Sequence, residues 1–173
     1  MFSFVYNLLN VLETTGPGCS QGQTGTVTVI VKPLPTATIS GTKTVCLNGT
    51  PPFITLSGNG GAAPYTFTYN INGGPAQTVT TTSGNSVNVF APTGTAGPFV
   101  YNLMAVKEGS INSCSQTQTG SATITVNQLP TATISGSTEV CLNAAEPLIT
   151  FTGAGGTAPY TFLYNIDGGI NKV

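Results

Sequence analysis

Apolar and polar residues alternate with a period of two along most of the chain, the signature of half-buried β-strands. "TATIS" (36–40) sets Ala37 and Ile39 on one face, and "FITLS" (53–57) sets Ile54 and Leu56 inward. "YTFTYNI" (65–71) aligns Tyr65, Phe67, Tyr69 and Ile71 against Thr66, Thr68 and Asn70. "SVNVF" offers Val87 and Val89, "FVYNLMAV" offers Phe99, Tyr101, Leu103 and Ala105, and "SATITV" offers Ala122, Ile124 and Val126. "AQTVTTT" (76–82) alternates more weakly and reads as an edge strand. Between these runs lie "GNGGAAP", "NGGP", "TSGN", "APTGTAGP" and "EGSINS", rich in residues that turn the chain. No window carries a helical period. The core expected from this pattern comprises Ile54, Leu56, Tyr65, Phe67, Tyr69, Tyr101, Leu103 and Ile124.

The pattern also repeats itself. "FVYNL" occurs at 4–8 and at 99–103, 95 residues later. At the same offset "CSQGQTG" from Cys19 matches "CSQTQTG" from Cys114, and "LPTATISG" recurs from Leu34 and Leu129. "APYTFTYNINGG" from Ala63 matches "APYTFLYNIDGG" from Ala158. The offset divides the chain into the end of one repeat (1–33), a complete repeat (34–128) and the start of a third (129–173). A chain that starts and stops inside domains is natural for a piece of a longer array. The apolar opening "MFSFVYNLLNVL" is then an internal strand. It lacks the basic segment and cleavage site of a signal peptide and is too short to span a bilayer. Seven short strands in 95 residues fit an all-β fold of immunoglobulin-like sandwiches. Tyr101 falls where that fold often carries a corner tyrosine, and an ordinary strand tyrosine fits equally.

"VCLNGTPPFITLSGNGGAAPYTFTYNINGG" followed by "FVYNLMAVKEGSINSCSQTQTGSATITVNQLPTATISG" resembles the PKD-like and Ig-like tandem repeats of very large Bacteroidota surface proteins, gliding-motility adhesins among them. The resemblance covers the whole chain. It rests most on a Cys before the second strand, the Gly-Gly…Pro-Tyr-Thr-Phe approach to the third, and a Cys after the sixth. No Trp-Asp-Phe-Gly-Asp-Gly run is present, a departure from the better-known PKD pattern. The resemblance implies export, by a type IX secretion route, an extracellular or cell-surface location and a stalk or filament role. It implies no enzymatic activity.

Composition narrows the chemistry. Charged residues make up 5%, against roughly 25% in an ordinary globular protein. A net charge of −1 leaves no electrostatic footprint for nucleic acid. There is no His, hence no Ser-His-Asp or Cys-His arrangement. The acids are Glu13, Glu108, Glu139, Glu146 and Asp167, and Glu108 alone falls in the complete repeat. A glycosidase carboxylate pair or a carboxylate-built calcium site cannot be assembled there. Lys107 and Glu108 are strand neighbours on opposite faces, which argues against an isopeptide bond. "NGT" at Asn48 matches a glycosylation sequon, but a turn is the plainer reading. No cofactor or metal is expected.

The four cysteines, Cys19, Cys46, Cys114 and Cys141, form no Cys-x-x-Cys pair, so disulfides are preferred over zinc. Placed in a sandwich, Cys46 lies in the first interstrand connection and Cys114 after the last turn, at opposite poles about 20 Å apart. A disulfide needs Cα atoms within about 7 Å. In a head-to-tail array Cys46 meets the counterpart of Cys114 from the next repeat; pairing within the repeat is the rival. The expected function is a structural stalk or filament module of an exported surface adhesin, not an enzyme, with neighbouring repeats or identical chains as partners. The alternative is an adhesion module binding glycans or proteins through residues such as Tyr160 or Asn165. Its discriminator is an exposed aromatic cluster at one pole.

Overall fold

The computed structural model describes residues 1–173 and contains thirteen strands and no helix. No helix, therefore, is long and apolar enough to cross a membrane. The strands are β1 (Phe2–Leu12), β2 (Ser20–Val31), β3 (Thr36–Ser40), β4 (Lys43–Cys46), β5 (Phe53–Asn59), β6 (Thr66–Ile71), β7 (Gln77–Thr80), β8 (Ser86–Phe90), β9 (Gly97–Lys107), β10 (Ser115–Thr117), β11 (Ser121–Asn127), β12 (Thr131–Ser135) and β13 (Thr150–Ala154).

The middle of the chain is a β-sandwich. One sheet is ordered β3-β5-β8, the other β4-β11-β9-β6-β7, with β10 also paired to β9. The inner faces share one cluster of thirteen buried side chains running from Ala37 to Val126. Ile54, Leu56, Tyr65, Phe67, Tyr69, Tyr101, Leu103 and Ile124 all belong to it. The weakly alternating 76–82 stretch supplies β7, an edge strand paired only to β6. On the outer faces, cross-strand pairs bond through hydroxyls and amides: Thr55 donates to Asn88 Oδ1 (2.9 Å), Ser57 meets Ser86 (2.8 Å) and Thr66 meets Thr80 (2.9 Å). Such pairs each contribute a fraction of a kcal/mol, roughly 0.2–1, and let the sheets face water with few charges.

Two features depart from simple alternation. First, β9 carries a bulge. Thr68 faces Ala105 and Tyr69 faces Leu103, so Met104 is the extra residue. The bulge shifts the phase, and Val106, not the Ala105 expected from alternation, is buried. The pairing of β1 with β2 also shifts between Leu8 and Asn10, but there the extra residue is on β2, where Gln23 and Thr24 lie opposite Leu9. Second, the first strand is split. β3 pairs with β5, while β4 crosses to the other sheet and runs parallel to β11. Cys46 therefore ends a strand, opposite Asn127, instead of lying in a connection. Asn48 follows in a tight turn at φ 59°.

The end segments are single-layered. β1 and β2 form a two-stranded sheet, as do β12 and β13. All 19 buried residues of the chain lie between Pro35 and Val126, so neither end segment contributes a buried residue.

Candidate functional site

No three Cys, Asp or Glu side chains come together anywhere in the chain. The one buried acid is Glu108, at the end of the bulged strand β9. Its Oε2 accepts from the Ala62 amide (2.8 Å), its Oε1 accepts a short bond from Ser110, and its amide donates to Cys114 O (3.0 Å). The Gly109 amide donates to Ala62 O (2.9 Å). The hydrogen bond from Ser110, followed by that from Ala62, holds the carboxyl below its ordinary range. The carboxylate thus joins the loop before β6 to the end of β9. The contact is close: a Cβ on Gly61 would sit 2.8 Å from Glu108 Cβ. Glu108 clips a loop in place. Its neighbour Lys107 is exposed, as opposite strand faces require. Tyr101 is wholly buried, stacks on Tyr69 at 6.2 Å, and its hydroxyl has no partner. It is a core residue and makes no corner hydrogen bond; burial, then the nearby Tyr69, pushes its pKa up.

The groups that present a surface lie in residues 129–173. Phe151 contacts Phe162 at 5.6 Å and Tyr164 at 5.0 Å, and Tyr160 lies 6.5 Å from Phe162. All four rings are half-buried. With Ile134 and Ala132 they line two adjoining grooves of about 350 and 410 Å³. This is a half-buried aromatic cluster, not the exposed cluster at one pole set out as the mark of a binding module. Tyr160 takes part in it, whereas Asn165 is fully exposed and lines neither groove. The counterparts of these rings 95 residues earlier are Leu56, Tyr65, Phe67 and Tyr69, every one of them core. The cluster therefore occupies core positions of the repeat with no second sheet packed on it, although of the four rings only Phe151 lies in a strand.

A third cavity, about 440 Å³, joins the sandwich to this face. Cys46, Asn127 and Gln128 line one side, and Gly156, Thr157, Pro159 and Phe162 the other. All four cysteines are free: Cys19, Cys46 and Cys141 exposed, Cys114 half-buried. Pairing within the unit is ruled out by distance. Cys46 sits beside Asn127, at the end of β11 whose Val126 faces Gly97, the start of β9. Cys114 precedes Ser115, which faces Lys107 at the other end of β9. At about 3.3 Å per residue those ends are ~30 Å apart, far beyond disulfide reach.

The clip around Glu108 and the place of Cys46 at the end of strand β4 escaped the sequence reading. The available signal was that the unit's single acid closes its longest strand. No protein-family model, no curated protein and no solved structure matches the chain.

Proposed function

We propose that the chain is a structural module of an exported bacterial stalk or filament, built of head-to-tail Ig-like sandwiches with a 95-residue period. Residues 1–33, 34–128 and 129–173 are then the end, the whole and the start of successive units. One observation carries the reading. The segments flanking the sandwich repeat its sequence, and β1–β2 and β12–β13 repeat the pairing registers of β9–β11 and β3–β5, yet leave the matching inner faces uncovered. Each end segment is thus part of a unit that a neighbouring unit or chain completes. The connections, "VKPLP" and "NQLP", are short and leave little slack between units, which favours a stiff rod. The low charge, two cysteines per repeat and the resemblance to large surface proteins support an extracellular location.

Electron microscopy of material shed from intact producing cells tests this. Thin rods are expected, with an axial spacing of roughly 40 Å, since β9 alone spans 11 residues at about 3.3 Å each. Isolated round particles, or protein confined to the cytoplasm, would overturn it. The second reading, a glycan- or protein-binding adhesion module, would rest on the half-buried aromatic cluster at Phe151, Phe162 and Tyr164. Glycan binding by the chain that is lost in Phe162→Ala and Tyr164→Ala would support that reading.

A further inference from the structure

We propose that the aromatic face of residues 129–173 is the docking site for residues 1–33 of a second copy of this chain, and that docking brings the incoming Cys19 to Cys46 and the incoming Cys114 to Cys141. The proposal rests on the stalk reading and names the partner of its uncovered face.

The template for this contact is already in the molecule. Within the sandwich, β9 and β11 pack on β3 and β5 across a single core, and β6 pairs with β9 in their own sheet. β1 and β2 reproduce β9 and β11 residue for residue in register. Phe4 faces Val29 and Tyr6 faces Val27, as Phe99 faces Ile124 and Tyr101 faces Ala122. β12 and β13 likewise reproduce β3 and β5: Ile134 faces Phe151 as Ile39 faces Leu56. The two end segments therefore present complementary halves of the interface that the sandwich shows closed. Tyr6 and Leu8 are 63% and 53% exposed, against 0% and 3% for their counterparts Tyr101 and Leu103, and burying that surface supplies the driving force.

The polar clip fits as well. In the sandwich the Glu108 carboxylate accepts from Ala62, and the Glu108 amide donates to Cys114 O. Glu13 repeats the second bond, its amide donating to Cys19 O at 2.9 Å. Thr157 occupies the place of Ala62, and Thr15 supplies the hydroxyl of Ser110. Docked in the same register, Glu13 of the incoming copy accepts from Thr157. Thr157 and Cys46 line the same cavity, so Cys19 arrives across that cavity from Cys46. The next junction obeys the same geometry, with Cys141 in the place of Cys46 and the incoming Cys114 in the place of Cys19. Each contact between two copies thus holds two disulfides. Contacts of this head-to-tail kind do not close, and they build fibres.

Disulfide formation requires an oxidant. With oxidised glutathione, one cysteine thiolate attacks its sulfur and releases one reduced glutathione. The facing thiolate then displaces the second from the mixed disulfide. Two thiol protons and two electrons leave the protein.

Complementary variants of the full chain test the pairing. One carries Cys19→Ser and Cys114→Ser, the other Cys46→Ser and Cys141→Ser. Under a glutathione redox buffer, the mixture is expected to lose its monomer to crosslinked species, with Cys46–Cys19 and Cys141–Cys114 peptides identified by mass spectrometry. Neither variant alone is expected to crosslink. Tyr6→Asp with Leu8→Asp is expected to abolish crosslinking while leaving the thermal transition of the sandwich in place. A mixture that stays monomeric with free thiols, crosslinks that form equally in either variant alone, or crosslinking that survives the Asp substitutions would overturn the proposal. Rods with a 40 Å spacing but without these crosslinks leave the stalk reading standing and remove only this partner.

Discussion

Tyr101 and Tyr6 sit at the same place in the same five-residue sequence, yet Tyr101 is wholly buried and Tyr6 is 63% exposed. Their strands are alike in length and in register with β2 and β11. What differs is the second sheet. β9 has β3 and β5 across the core, and β1 has nothing. Strand formation in this chain is thus a local property, set by alternation and turn chemistry, whereas burial depends on a partner. An isolated two-stranded sheet is marginal in water. The contrast between the sandwich and the end segments therefore amounts to a contrast between the same sequence with and without its hydrophobic stabilisation.

The largest test of that contrast is a pair of truncations. Phe67→Ala removes a ring from the middle of the core and is expected to cost about 3–5 kcal/mol in denaturant unfolding. Phe162→Ala, the same position in the uncovered segment, is expected to cost under about 1 kcal/mol in dilute reduced protein, as surface changes do. Equal losses would mean that the 129–173 face is covered within the single chain.

Glycines give a second pair, with a smaller effect. Gly58 lies under the ring of Tyr65, where a new Cβ would come within 2.6 Å, and Gly153 lies under Tyr160, where it would come within 2.5 Å. The local clash is the same but the freedom to relieve it is not. Tyr65 is fixed by the core, with its hydroxyl accepting from the Gly61 amide (3.0 Å). Gly58→Ala is expected to cost about 1–3 kcal/mol, the usual penalty of overpacking. Half-buried Tyr160 can swing outward, so Gly153→Ala should leave the unfolding midpoint almost unchanged.

These pairs also show what the sequence made legible. Period-two alternation located the inward faces of β5, β6 and β11, because each runs without interruption between turns. It failed at β9, where Met104 is an extra residue: past it the inward set passes from Leu103 to Val106 and on to Glu108. Nothing in "NLMAVKE" marks a bulge, since the mismatch exists only relative to β6. The split of the first strand was hidden for a similar reason. "KTVC" is four residues, too short for a pattern, and its partner is 81 residues away in β11. The uncovered face was legible as repeated sequence, and the meeting of Cys46 with the next unit followed from head-to-tail order, but the strand that carries Cys46 beside Asn127 did not.

Glu108 provides a pH test. Its folded pKa lies below the ordinary value of 4.5, chiefly through the Ser110 hydrogen bond. A lowered carboxylate pKa stabilises the fold above the ordinary value, and that contribution is lost as pH falls through the folded one. The wild type should therefore lose more stability on acidification below pH 4.5 than Glu108→Gln, which lacks the group at every pH. Parallel acid profiles for wild type and Glu108→Gln would show that the clip does not contribute as an ion.

The smallest expected effect comes from the tyrosines of the opening comparison. Tyr101 buries a hydroxyl that bonds to nothing, and a buried donor without a partner gives up its bonds to water with no return. Tyr101→Phe keeps the ring, its stacking on Tyr69 and its volume, and removes only that unpaired group. The substitution should be neutral or stabilising by up to about 1 kcal/mol, since removing an unsatisfied polar group recovers part of its desolvation penalty. Tyr6→Phe, in water on the free chain, should change nothing measurable. A loss of more than about 1 kcal/mol in Tyr101→Phe would mean that the hydroxyl has a partner, such as an enclosed water. In that case the core of the sandwich is wetter than its packing implies. The face of β1 that copies it would then need that water as well as a second sheet to close.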